Sequence, residues 1–103
     1  MPDVPELSDT EVGKATSIAR NYLEVNFGNL GMLLFRVEQV APNGVEGQIN
    51  VLCSLLNSIG SNKRLHYMIK VNVTEGKIVD VYRGEEDKDD PNKINLKKIV
   101  IQE

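Results

Sequence analysis

The sequence predicts an α+β fold in which one N-terminal helix packs on a four- to five-stranded antiparallel sheet. Three observations predict it: a capped stretch with apolar residues three and four apart, a switch to period-two alternation after Gly31, and turn residues that divide the alternating part into four runs. A helix with one apolar stripe and a sheet with one apolar face each need cover, and each supplies it to the other.

Residues 1–7 carry two prolines and two acids and read as a flexible arm. Helix entry is marked by Ser8 with Glu11 three residues on, the spacing of a reciprocal capping box, and Leu7 is placed to staple against Val12. Asp9 and Glu11 suit the positive end of the helix dipole. Val12, Ala15, Ile18, Ala19, Tyr22, Leu23 and Val25 then form a broad apolar stripe, and Gly28 can end the helix in a left-handed cap. The spacing predicts a helix over 9–27.

In the first alternating run Leu33, Phe35 and Val37 share one face, with Leu34, Arg36, Glu38 and Val40 on the other. Pro42-Asn43-Gly44 is turn chemistry. The second run sets Ile49, Val51, Cys53 and Leu55 against Gln48, Asn50, Leu52, Ser54 and Leu56, and a polar loop over 57–63 follows. The third run, the cleanest, sets Leu65, Tyr67, Ile69, Val71 and Val73 against His66, Met68, Lys70 and Asn72. After the Thr74-Glu75-Gly76-Lys77 turn, the fourth sets Val79 and Val81 against Ile78, Asp80 and Tyr82. An acidic stretch ending at Pro91 then leads to Ile94, Leu96, Ile99, Val100 and Ile101 interleaved with Lys93, Lys97 and Lys98, a tail with strand propensity. The chain therefore divides into an arm (1–7), one α+β domain (8–84), and a spacer with a C-terminal segment (85–103) able to add an edge strand, pack on the sheet or pair with another chain.

Bulk composition narrows the function. At 103 residues the chain holds a single core, and a net charge of −3 argues against binding a phosphate backbone, which requires clustered Lys and Arg. The one cysteine, Cys53, leaves no internal disulfide framework. With neither a basic-then-apolar leader nor about 18 consecutive apolar residues, the sequence predicts a soluble, cytoplasmic protein without membrane or nucleic-acid partners.

Catalytic chemistry finds little footing. Cys53 and His66 suggest a nucleophile and base, but strand parity puts them on opposite faces of the sheet. One His and one Cys do not make a structural zinc site, and Asp87, Asp89 and Asp90 lack the glycine and third oxygen ligand of a calcium loop. Gly28-Asn29-Leu30-Gly31 matches a GxxG pattern, yet a strand follows and the loop has no basic residue, so a helix cap and turn accounts for both glycines. Ser61-Asn62-Lys63-Arg64 is a small basic loop, and a pair of adjacent charges is ordinary on a surface. The sequence therefore predicts neither a catalytic residue nor a metal or cofactor site.

The face turned from the helix is more informative. Parity places Leu34, Leu52, Leu56, Met68, Ile78 and Tyr82 there, mixed with Arg36, Glu38, Asn50, His66 and Lys70. Large apolar groups in register on an open face mark an interface, and these six are the candidate interface residues. Three occupants are compatible with them: the C-terminal segment, a second copy of the chain, or another partner or ligand.

One helix followed by four antiparallel strands, over 8–83, resembles the cystatin fold and the related PepSY-type modules. In cystatins the first hairpin after the helix carries a Q-x-V-x-G motif that wedges into papain-like proteases. Here that hairpin reads Gln39-Val40-Ala41-Pro42-Asn43-Gly44, with Gln39 in place, Ala41 where the valine stands and Asn43 where the glycine stands. A second cystatin hairpin contains Pro-Trp, for which this chain offers residues 57–63 and no tryptophan; the glycine usual before the helix is also missing. Lys77-Ile78-Val79-Asp80-Val81-Tyr82 after a Glu-Gly turn is similar to the PepSY strand, a module associated with regulatory binding. The leading expectation is thus a small non-enzymatic module acting through protein contacts, with an unidentified partner or a second copy of itself. The alternatives are inhibitor-like binding by the 39–44 hairpin and a small-ligand pocket between helix and sheet, with Tyr22, Tyr67, Cys53 and Arg83 as the polar liners.

Overall fold

The computed structural model describes residues 8–86, 89 and 93–99. The expected arm, the Leu7 staple, Asp87, Asp90 and the chain after Ile99 lie outside the described residues. Six elements follow in order: α1 (Asp9–Phe27), β1 (Arg36–Pro42), β2 (Gln48–Leu56), β3 (Arg64–Asn72), β4 (Lys77–Glu86) and β5 (Ile94–Ile99). The strands form one antiparallel sheet in the order β1-β2-β3-β4-β5, each beside its sequence neighbour. This is the α+β architecture the sequence predicts, with the C-terminal segment as the fifth strand.

The helix starts where the capping box places it. Ser8 Oγ accepts from the Glu11 amide at 3.1 Å, and Glu11 Oε1 accepts from the Ser8 amide at 3.3 Å. At the other end Gly28 has φ 87 but ψ −120, so its positive φ is as expected while its ψ lies outside the left-handed helical region; its amide still donates to Glu24 O at 2.8 Å. The buried stripe is Ala15, Ala19 and Leu23, spaced by four. Two alanines keep the helix close to the sheet. Val25, expected in the stripe, is 87% exposed, because two positions beyond Leu23 is a rotation of about 200° to the far side.

Beneath the helix lie Ile49, Val51, Cys53, Leu55, Leu65, Tyr67, Ile69, Val71 and Val81, all buried. Phe27 closes one end with its ring edge-on to Tyr67 at 5.9 Å. β2 and β3 match without a break from Gln48↔Asn72 to Leu56↔Arg64, so their alternating faces are those of the sequence pattern. Two departures occur in the flanking strands. Leu33 and Leu34, expected in the first strand, belong to a turn closed by the Phe35 amide on Leu30 O (3.1 Å), in which Leu34 has φ 51. The strand begins at Arg36, and a bulge between Val37 and Gln39 accommodates Glu38 as an extra residue.

A second bulge lies in β4, where Lys70 faces Asp80 but the next residue, Val71, faces Ile78. Val79 is the extra residue, and it reverses the parity of the strand's beginning. β4 also runs on through Glu86, past the expected domain limit at 84, because β5 pairs with its end from Glu86↔Ile94 to Val81↔Ile99. Among the described residues no helix is long and apolar enough to cross a membrane.

Candidate functional site

The candidate site is the sheet face away from α1. Register lays it out in cross-strand rows, since residues directly opposite in antiparallel strands share a face. The middle row is Leu52, Met68 and Tyr82, with Lys98 beyond it on β5. One neighbouring row is Asn50, Lys70 and Asp80, and Lys98 Nζ reaches across to Asp80 Oδ1 at 3.1 Å. That carboxylate raises the Lys98 pKa above the usual lysine value. The other neighbouring row is Arg36, Ser54, His66, Gly84 and Leu96.

Gly84 is buried, and a methyl group there would meet Ile94 Cγ2 at 2.5 Å and Leu96 Cδ2 at 2.8 Å. The glycine is thus the seat on which the β5 side chains lie. Ile94 and Leu96 nevertheless remain 40% and 45% exposed.

The structure brings together three of the six expected interface residues. Leu52, Met68 and Tyr82 are half-buried side by side in one row. Leu56 is on the same face at the end of β2, opposite Arg64. Leu34 is exposed, but it stands in the turn before β1 rather than on a strand. Ile78 is a correction: the β4 bulge turns it to the helix side, opposite Val71, where it packs on the core. A period of two extrapolated through one extra residue puts every side chain beyond it on the wrong face.

A polar network at the β1 end of this face was not anticipated as a unit. Ser54, fully buried, donates from Oγ to Glu38 Oε1 at 2.7 Å, and Arg64 Nη1 donates to Ser54 Oγ at 3.0 Å and to Leu34 O at 3.1 Å. Arg36 Nε holds the same Glu38 oxygen at 2.7 Å. The Ser54 hydroxyl, then the Arg36 guanidinium, lower the Glu38 pKa below its ordinary value. Glu38 is the extra residue of the β1 bulge, next to the Arg36↔Ser54 pair. In the sequence the only signal was a hydroxyl in the outward parity of the most apolar strand, flanked by outward charges on both neighbours.

Chemically this network is a brace. Ser54 directs its proton to a carboxylate and is closed to solvent, so it is not placed to attack a substrate. Arg64, expected in a basic surface loop, is the first residue of β3 and serves the same brace. Cys53 faces the helix opposite Tyr67, whereas His66 faces outward opposite Ser54. Burial, and then the Glu38 charge, push the Cys53 thiol up to about 12. Among the described residues no group of three His, Cys, Asp or Glu side chains is arranged to hold a metal ion.

Of the expected pocket liners, Tyr67 is buried, which raises its pKa, and Arg83 stands opposite it on β4. Cys53 is sealed in the core. Two described grooves lie elsewhere, flanking the first half of α1. One, of about 350 Å3, runs from Glu11 to the β1–β2 hairpin; the other, of about 420 Å3, runs from Lys14 and Ser17 to the β3–β4 turn. Both open to solvent, and neither is lined by Tyr22, Tyr67, Cys53 or Arg83.

The meander also decides which loops are neighbours. The β1–β2 and β3–β4 turns sit at one end, joined by the Val73 amide on Gly47 O at 2.9 Å. Gly47 has φ 78, and a Cβ there would meet Thr74 Oγ1 at 2.9 Å, so this junction requires glycine. The 57–63 loop lies at the opposite end and cannot act beside the 39–44 hairpin. Compared with known proteins, the chain matches no family model, no curated protein and no solved structure. The resemblance to cystatins and PepSY-type modules accordingly remains one of element order.

Proposed function

We propose that this chain is a non-enzymatic module that works through protein contacts made by its open sheet. The observation that carries the reading is the row Leu52, Met68 and Tyr82, three large apolar side chains in cross-strand register on the face that α1 leaves bare. Exposed apolar residues scattered singly need no explanation; three adjacent ones rimmed by polar rows have the composition of a contact surface. Catalysis is the weaker reading, because the strongest nucleophile, Cys53, is buried with its pKa near 12 and the sheet separates it from His66.

Affinity capture with the parent and with Met68→Glu tests the proposal. The expected result is a bound protein that the parent retains and the variant loses while keeping its circular dichroism spectrum. Parent and variant that capture the same proteins would overturn it.

A second reading, inhibitor-like binding, is favoured by one observation: the two turns tied by Val73 and Gly47 form a paired edge at one end of the sheet. Titration against a papain-like protease decides it. Loss of protease activity that the Gly47→Val variant fails to reproduce is the expected outcome, and full activity at saturating protein removes the reading.

A further inference from the structure

A five-stranded open sheet has two edges, and here they are built differently. The β1 edge is defended: a bulge interrupts it after Val37, the Arg36–Glu38 ion pair stands on it, and Pro42 ends it without an amide. The β5 edge has neither bulge nor proline from Ile94 to Ile99, its register with β4 is continuous, and Ile94 and Leu96 are part-exposed along it. An edge of that kind is a template for another strand.

We infer that the β5 edge is the site at which a second copy of this chain pairs, antiparallel and across a two-fold axis at Leu96, to make one ten-stranded sheet. The inference concerns the edge of the sheet and not its open face, and it goes beyond the proposed function by naming the occupant. Self-pairing is selected by parity and charge together. Leu96 faces outward with Tyr82's side of the sheet, and Lys97 faces the helix side opposite Arg83. Directly opposed residues must share a face, so a symmetric register is centred on a residue.

Centred on Leu96, the pairing sets Leu96 against the partner's Leu96, Asn95 against the partner's Lys97, and Ile94 against the partner's Lys98. No lysine faces a lysine. Centred one residue on, Lys97 would face the partner's Lys97 beside Arg83 from each copy; centred one residue back, Lys93 would face the partner's Lys97. Like charges directly opposed are unfavourable, so both neighbouring registers are rejected. The lysines that guard this edge against other strands therefore admit its own copy centred on Leu96 and reject the alignments on either side. Lys98 also enters with its charge already met by Asp80.

Stacking two copies face to face is the competing arrangement. It would bury Arg36, Glu38, Lys70, Asp80 and Lys98 against the same set of charges on an identical face, whereas a different protein on that face can bring charges placed to meet them. Edge pairing leaves all five solvated and adds main-chain hydrogen bonds.

Light-scattering mass on the full chain is the first measurement, with a dimer expected at twice the 11.5 kDa of one copy. Leu96→Lys should run as a folded monomer, and Met68→Glu should remain dimeric. The Leu96→Cys protein, oxidised, should yield a disulfide-linked dimer, whereas Lys98→Cys, staggered from its own copy by four residues, should not. A parent of 11.5 kDa at every concentration, cross-linking at Lys98→Cys, or a monomer from Met68→Glu beside a dimer from Leu96→Lys each overturns the pairing. A monomeric parent would still leave the open face to be judged by the capture experiment, so the two proposals fail separately.

Discussion

Gly84 and Leu96 face each other across β4 and β5 so closely that a single methyl on the glycine would stand 2.8 Å from the leucine. Gly84 carries no positive φ among the glycines of the chain, so what it supplies is room and not backbone freedom. Gly84→Ala should therefore push β5 off its seat, costing about 1–3 kcal/mol as overpacking does. Urea unfolding measures the loss, and hydrogen exchange should place it in the amides of β5 and leave β2 and β3 protected.

Ile78 and Met68 separate the two faces by experiment. Ile78→Glu puts a carboxylate on the core side opposite Val71 and should cost about 3 kcal/mol or more, whereas Met68→Glu, on the open face, should cost under about 1 kcal/mol. Reversed sensitivities in denaturant midpoints would show that β4 lacks its bulge.

Glu38 gives the molecule an acid limb. Its folded-state pKa is lowered by Ser54 and Arg36, so the folded state binds its proton less readily than the unfolded chain does. The stability it contributes is present above the ordinary carboxylate pKa and is lost as pH falls through that value toward the lowered one. Denaturant midpoints should fall more steeply below about pH 5 for the parent than for Glu38→Gln, with the variant about 1 kcal/mol less stable at neutral pH.

Cys53 should be silent until the protein opens. With its pKa raised to about 12 by burial, and then by Glu38, the folded thiol is neutral at pH 8 as well as enclosed. Labelling by a disulfide reagent should track global unfolding, with a rate that rises in denaturant in proportion to the unfolded population. Prompt labelling in native buffer would mean that β2 opens locally.

Val25 marks the back of the helix. At 87% exposed, Val25→Lys should change stability by less than about 0.5 kcal/mol, read from the thermal midpoint.

The sequence made the helix legible to its last residue, because Ser8, Glu11 and Gly28 are local signals that act within one turn. β2 and β3 were legible for the same reason: an unbroken alternation needs only its own period. What failed was arithmetic carried across an inserted residue. Val79 and Glu38 look like any other position in an alternating run, and the decision to bulge is made by the strand alongside. The pattern sends Ile78 to the open face although it packs against the core, and the Glu38–Ser54 contact joins residues sixteen apart that no local signal links. Leu34 was lost to a turn whose positive φ a leucine gives no hint of.

The helix touches β1 through β4, while β5 is held by β4 and, more lightly, by β3. Four strands are thus clamped between a helix and their neighbours, and the fifth hangs on one seam. Ile99 alone among its described side chains reaches the hydrophobic interior, so the outermost strand hangs like a hem, sewn along one side and fastened by a single stitch.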